Sequence, residues 1–326
     1  MKKKYFIITI DTEGDNIWKR VTTSSGMREV TVENAKYIAR FQSLCEKYHY
    51  KPVYLVDYEM AGAEPFVSQA KEWLCDGECE VGMHMHAWNA PPIYQLPFNR
   101  KGHNPYAGEY PRDILWQKMR QMTSIIEKAF GIKPGSHRGG RWYIDPWYIN
   151  ALSRLGYQVD CSVTPGVNWN NTIGNTLYGP DYGNFPKNAY FMGKKRLDRP
   201  LKQGGGVSAV LQVPPTIMNA PLAGRIGKMA ADPFSAREIL KEKIWLRPNG
   251  RNLDEMLYIV EKTKNRNYIE FMLHSSELMP GGSPTFKTKQ SIEKLYDDMN
   301  ILFSEISRQR KGITLSDYAL RYKEKR

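Results

Sequence analysis

Five short stretches of the chain concentrate side chains that can move protons or hold a cation. Asp11-Thr12-Glu13-Gly14-Asp15 places three carboxylates within five residues. His84-Met85-His86 follows a run suited to extended backbone, where side chains alternate faces, so both imidazoles point to the same side. Ser136-His137-Arg138-Gly139-Gly140-Arg141-Trp142 offers two guanidinium groups in a glycine-rich turn. Asp160-Cys161-Ser162 follows a further apolar run, and Ile269-Glu270-Phe271-Met272-Leu273 leads into His274. Each stretch alone has a plain structural reading: an acidic turn, a structural histidine pair, surface arginines, a satisfied core histidine. Together, carboxylates, a histidine pair, an arginine and a late histidine are the components of metal-dependent hydrolysis.

Such a reading requires a fold that gathers these positions. Strands are predicted at 5–11, 51–57, 79–86, 134–138, 157–163, 207–213 and 268–274, and helices at 31–48, 64–75, 112–130, 145–155, 252–265 and 286–308. The stretch 112–130 carries the clearest helical spacing, with Leu115, Met119, Met122 and Ile126 on one face and Gly131 at its stop. Strands alternating with helices predict a mostly parallel α/β sheet, open or closed into a barrel. Every polar stretch falls at the C-terminal end of a predicted strand. Parallel sheets bring those ends to one face, where ligands bind. Residues 88–111 and 164–206 break the rhythm as loop insertions rich in aromatics. No internal repeat or linker interrupts residues 1–326, which are read as one domain.

Composition narrows the classes. The chain has 326 residues, 41% hydrophobic and 25% charged, which excludes collagen-like, low-complexity and disulfide-scaffold proteins. No run approaches the ~18 apolar residues of a membrane span. Lys2-Lys3-Lys4 before Tyr5-Phe6-Ile7-Ile8-Thr9-Ile10 imitates a signal peptide, but the apolar run ends at Asp11, so a cytoplasmic location is expected. Cys45, Cys75, Cys79 and Cys161 lack zinc-finger spacing and read as idle thiols. The net charge of +13 raises a polyanionic partner. The basic residues cluster at 194–202 and at the C-terminus without forming a stripe or a nucleic-acid motif. No nucleic acid is expected; an acidic glycan or sugar phosphate fits the charge.

On the same residues the sequence resembles the polysaccharide deacetylases, the NodB-homology carbohydrate esterases. Thr9-Ile10-Asp11-Thr12-Glu13-Gly14-Asp15 is similar to the family's acidic motif and Glu80–Trp88 to its histidine motif. Ser136–Trp142 stands in the place of the arginine motif, Asp160–Pro165 in that of the fourth, and Phe271–Ser276 is similar to the closing leucine-histidine motif. Two positions differ. Thr12 stands where a second aspartate is usual, and Trp88 occupies the fourth place after His84, where a histidine is usual. The resemblance is therefore to a His-x-His-x-Trp branch, with His86 as substitute and either Glu13 or Asp15 as the carboxylate ligand.

The resemblance implies a distorted (β/α) barrel of about seven parallel strands. It also implies metal-dependent removal of an acyl group, N-acetyl foremost, from a sugar or surface-polysaccharide precursor. The roles it implies are a divalent metal, zinc with cobalt, nickel or manganese as substitutes, on His84, His86 and Glu13 or Asp15. Asp11 would be the general base, Arg138 its partner and His274 the acid. Asp160 would lie near the substrate and tune His274, and Trp88, Trp142 and Trp169 would stack on sugar rings. Two rivals remain on the sequence: a catalytically silent glycan-binding or assembly protein on the same barrel, and a metal amidohydrolase of another C–N substrate.

Overall fold

A computed structural model describes residues 3–17, 30–98, 104–193, 195–201, 210–221 and 242–324. Its main sheet contains β1 (Tyr5–Thr12), β2 (Val53–Val56), β3 (Glu80–Met85), β4 (Ser136–Gly139), β5 (Val159–Asp160), β6 (Tyr190–Phe191), β7 (Leu211–Gln212), β10 (Tyr268–His274) and β11 (Lys311–Gly312). The strand order is β10-β1-β2-β3-β4-β5-β7-β6. Neighbours from β10 to β7 are parallel, seven strands in that run, and only β6 is antiparallel. The chain beyond β7 approaches β10: Thr216 N donates to the Glu270 carbonyl (3.2 Å) and the Glu270 amide to Thr216 Oγ1 (2.8 Å). The sheet is thereby curled into the distorted barrel expected from the sequence.

Helices cover its outside: α1 (Ile38–Lys47), α2 (Glu64–Cys75), α3 (Arg112–Phe130), α4 (Pro146–Leu155), α5 (Leu253–Lys262) and α6 (Lys289–Ser307). All six were legible from apolar spacing, with bounds close to those expected. Only the region 31–48 is divided, into a 3₁₀ turn (Glu33–Tyr37) and then α1. Gly131 ends α3 with φ +70°, and Gly156 ends α4 with φ +91°, conformations that glycine adopts without Cβ strain. The strand expected at 207–213 begins within residues that are not described, as do Gly204–Gly206 and part of the basic cluster at 194–202.

Strand period two explains the interior. On β1, Phe6, Ile8 and Ile10 pack outward against the helices, beside Phe41, Phe271 and Phe303. Tyr5 and Ile7 turn inward onto Val53, Leu55, Val159, Cys161, Leu211 and Val213. The inward series continues with Thr9 and Asp11, both buried. The barrel therefore has an apolar floor at the N-terminal ends of its strands and a polar upper half.

The floor is sealed by an element the sequence reading did not anticipate, α7 (Leu315–Glu324). Leu315, Tyr318 and Ala319 are buried at helical spacing, and Tyr318 meets Tyr5 edge-on at 6.0 Å. The basic C-terminal segment is thus an amphipathic plug whose charges lie on the opposite face. A separate two-stranded antiparallel sheet, β8 (Ile217–Asn219) with β9 (Lys243–Trp245), was also not expected. The four cysteines are free.

Gly82 on β3 marks a tight interior contact. A Cβ there would lie 2.6 Å from the Ser136 carbonyl oxygen on β4 and 2.8 Å from Leu55 on β2. Backbone cannot step aside as a side chain can. Gly82→Ala should therefore cost about 1–3 kcal/mol, read as a lower urea midpoint at unchanged slope; an unchanged midpoint would refute the tight packing.

Candidate active site

Strand register sets the geometry at the upper mouth. Asp11 is paired with His274 across β1 and β10, and His84 with Arg138 across β3 and β4. Two elements of the sequence pattern thus become lateral neighbours at the same level of the barrel.

Arg138 crosses the interior. Its Nη1 donates to Asp11 Oδ1 at 2.5 Å, and its Nη2 donates to Glu270 Oε1 at 2.6 Å and to Thr9 Oγ1 at 2.8 Å. Its Nε reaches the Cys161 carbonyl at 3.3 Å. The guanidinium is completely buried. Burial works against the charge on Asp11, but Arg138 first, then His84 and His274, hold its carboxyl below the ordinary aspartate value. Glu270 goes the other way. Burial dominates, only partly countered by Arg138 and Thr9, and pushes it up to about 7.

Beside this pair stands the metal-type cluster. Among the described residues, Glu13, His84 and His86 offer ligand atoms that all lie within 4.8 Å of one another. Glu13 Oε2 is 3.0 Å from His86 Nε2 and 3.3 Å from His84 Nε2. The imidazoles share one side of the strand, with ring centres 4.7 Å apart and planes perpendicular. His84 Nδ1 donates to the Arg138 carbonyl at 3.0 Å, so its neutral tautomer keeps a lone pair on Nε2, facing Glu13. Glu13 Oε1, also buried, accepts no hydrogen bond. Against the cost of burial, Asp11 and then Glu13 raise the His84 pKa, while Glu13 itself lies well below the usual carboxylate range. This site draws positive charge. Two imidazole nitrogens and a carboxylate with an unsatisfied oxygen fit a divalent cation of the zinc type.

The acidic motif divides in its use. Asp15 turns away from the histidines: Thr31 Oγ1 donates to its Oδ1 at 2.5 Å and the Asn34 amide to its Oδ2 at 3.2 Å. Glu13 is the member that reaches them. His274 Nε2 stands 3.6 Å from both Asp11 Oδ2 and Glu13 Oε1. Its Nδ1 meets Arg247 Nη2 at 2.8 Å, and Glu277 accepts from Arg247 at 3.0 Å and from the His274 amide at 2.9 Å.

Asp160 is placed differently from the expectation. It is completely buried, and its carboxylate is taken by His137 Nδ1 (2.7 Å) and by the Ser162 amide (2.9 Å) and hydroxyl (2.7 Å). It therefore braces β4 against β5, and a sugar could touch it only by breaking that set. The side chains that contact the His274 ring are Arg247 and Glu277 instead.

The expected aromatics surround the mouth. Trp88 lies 5.4 Å from the His86 ring, and Trp142 covers Arg138 at 5.0 Å. Arg141 and Trp142 have φ values of +56° and +64°. Non-glycine residues in this left-handed region cost about 1–3 kcal/mol each and persist where the surroundings hold them. Here Tyr182 donates its hydroxyl to the Trp142 carbonyl at 2.5 Å.

Sequence reasoning passed over Glu270, Arg247 and Asp57. Glu270 was visible as a lone acid inside an apolar strand. Asp57, like Asp11, ends a strand, and it accepts from the Gly14 amide (3.1 Å), holding the acidic loop in place. Arg247 left no local signal, since its partner is 27 residues away.

No family model matches the chain, and no curated protein matches it in sequence. Solved structures resemble it in fold. One from Parabacteroides distasonis, named as a glycoside hydrolase/deacetylase, has a TM-score of 0.62 at 9% identity, covering 99% of this chain and 72% of that one. One from Mycobacterium smegmatis, named as a polysaccharide deacetylase, has a TM-score of 0.57 at 10% identity, covering 99% and 91%. An allantoinase has a TM-score of 0.50 at 13% identity, covering 97% and 88%. The likeness is one of fold: this chain has the barrel of the polysaccharide deacetylases. Among the described residues no helix is long and apolar enough to cross a membrane.

A pH test follows from Glu270. Its carboxyl binds a proton more tightly folded (about 7) than its ordinary value of 4.5. The folded state therefore holds more protons between those values, and stability declines as pH rises through that window. Glu270→Gln fixes the neutral form. Urea titrations at stepped pH should show wild type losing stability relative to this variant between about pH 4.5 and 7; parallel curves would contradict a raised Glu270.

Proposed function

We propose that the protein is a metal-dependent hydrolase that removes an N-acyl group from a sugar, with N-acetyl the first candidate. The observation that carries this reading is the juxtaposition at one barrel mouth of a Glu13–His84–His86 cluster and an Asp11 carboxylate held charged by Arg138. The similarity in fold to structures named as deacetylases supports it.

Glu13, His84 and His86 would hold the divalent ion, zinc first, with cobalt, nickel or manganese as substitutes. Such an ion supplies Lewis acidity that polarises an acyl oxygen and acidifies the attacking water. Asp11 Oδ2, the oxygen not taken by Arg138, is the base that receives the proton of that water. Arg138 fixes the orientation of Asp11 and keeps it ionised. His274 Nε2 lies within 3.6 Å of Asp11, where it can hydrogen-bond the departing nitrogen and relay a proton to it. Trp88 and Trp142 narrow the mouth and limit water. An acidic or phosphate-linked sugar remains compatible with the charge of +13. The likeness to an allantoinase favours, as a second reading, hydrolysis of a cyclic amide by the same groups.

Two variants separate the roles. Asp11→Asn should lower acetate release from N-acetylated sugars by about 10²–10⁴-fold while metal content, measured by elemental analysis, stays near wild type. The double variant His84→Ala with His86→Ala should lose both metal and activity while circular dichroism stays native. Wild-type protein that binds no zinc and releases no acetate would favour a silent glycan-binding barrel. Cleavage of cyclic amides alone would favour the second reading.

A further inference from the structure

Arg247 is brought beside His274 by the barrel seam. The Leu246 amide donates to the Thr216 carbonyl (3.0 Å) and the Met272 amide to the Leu246 carbonyl (3.3 Å), so the chain leaving β9 runs along the end of β10. Asn252 Nδ2 donates to the Arg247 carbonyl at 2.8 Å and fixes that backbone from the other side.

The Nη2 amino group of Arg247 has two hydrogens and two acceptors in reach, His274 Nδ1 at 2.8 Å and Glu277 Oε1 at 3.0 Å. A guanidinium donates and never accepts. The hydrogen between Nη2 and Nδ1 therefore belongs to Arg247, and Nδ1 presents its lone pair. In a neutral imidazole the proton must then sit on Nε2. That nitrogen faces the site, 3.6 Å from both Asp11 Oδ2 and Glu13 Oε1.

Nδ1 has a second neighbour of opposite effect. Glu277 Oε2 lies 3.4 Å away, and a carboxylate there would favour N–H on Nδ1 and a lone pair on Nε2. Against the cost of burial, Arg247 first and then His274 hold the Glu277 carboxyl down to about 2, so it is a charged competitor. Its oxygens are engaged elsewhere: Oε1 accepts from Arg247, and Oε2 from the His274 backbone amide at 2.9 Å. Arg247 thus fills Nδ1 and occupies the competitor at once. The resemblance implies a carboxylate, Asp160, beside His274; the closest side chain on Nδ1 is instead a cation, which acts on the ring in the opposite sense.

Resting on the hydrolase reading, we propose that Arg247 is a positioning residue for the reaction. It holds His274 in the tautomer with its proton on Nε2, so that a hydrogen-bond donor rather than a lone pair faces the departing nitrogen.

The test reads the ring nitrogens of isotope-labelled histidine by NMR at about pH 8, above the ordinary histidine value. Protonated and unprotonated ring nitrogens resonate apart, and a His274→Gln spectrum assigns the signals among the six histidines. Wild type should show His274 protonated at Nε2 and unprotonated at Nδ1. Arg247→Met should move the proton toward Nδ1, where Glu277 accepts it, and adding Glu277→Gln should return it to Nε2; a merely structural role would give no such reversal. Acetate release from N-acetylglucosamine should fall about 10–100-fold in kcat for Arg247→Met, with KM near wild type. Arg247→Lys, which keeps a donor, should recover part of both signals. A proton on Nδ1 in wild type, or an Arg247→Met spectrum identical to wild type, would overturn the assignment even with acetate release intact. The expected tautomers without acetate release by wild type would uphold the hold of Arg247 on the ring and overturn the hydrolase reading. An Arg247→Met protein that fails to fold leaves wild type and Arg247→Lys to decide on the same signals.

Discussion

The guanidinium of Arg138, completely buried between Asp11 and Glu270, is the interaction on which the upper barrel depends. Taking an ion out of water costs several kcal/mol even after relaxation, so such a group survives only when its donors are satisfied. Arginine can do this where lysine cannot, because a planar fork reaches several acceptors at once. Here the fork ties β4 to β1 and β10 through the centre of the barrel, spanning 127 and 132 residues of sequence. The same residue gives its carbonyl to His84 and its guanidinium face to Trp142. Asp11, the histidine cluster and the aromatic wall are thus all referred to one side chain.

That arrangement carries a charge conflict which the protein divides unequally. Asp11 and Glu270 share one cation at low solvent access. Asp11 gains further from His84 and His274 and stays ionised, whereas Glu270 has only Arg138 and Thr9 to offset its burial. Asp57 and Glu59 extend the conflict beneath the acidic loop. Burial first, then their mutual repulsion with the help of Glu13, raises Asp57 well above its ordinary value, and burial lifts Glu59 to about 7. The carboxylates nearest the histidines keep their charge, and those behind them are pushed toward the neutral form. An acidic mouth that attracts a cation results, without a wholly ionised interior.

What could be read from the chain was whatever depends on local period. Alternation along 5–11, 79–86 and 268–274 placed the chemistry-bearing residues on one face, and helical spacing located the six outer helices. The resemblance assigned roles to the same positions. What could not be read depends on where the chain turns. Glu13 and Asp15 are equivalent on paper; the turn that sends Asp15 back toward Thr31 and Asn34 separates them. Asp160 looked like a site acid, but its extended neighbours hold it against His137. Glu270 and Arg247 gain their meaning from partners on other strands, and only register and closure reveal those. The plug helix α7 did show apolar residues at 315, 318 and 319, but its density of lysine and arginine obscured the pattern.

Strand β1 is hydrogen-bonded on one side to β10 and on the other to β2, and its first residues pair with β11. All eight of its residues are buried. On a ribosome its β10 partner follows much later, beginning at Tyr268, 256 residues after Thr12. At elongation rates of about 5–20 residues per second, one flank of β1 waits about 13–50 s for a partner. During that interval an apolar run with an open hydrogen-bonding edge is exposed to other chains. The barrel's closure thus rests on pairing between segments far apart in sequence, the kind of contact that forms slowly.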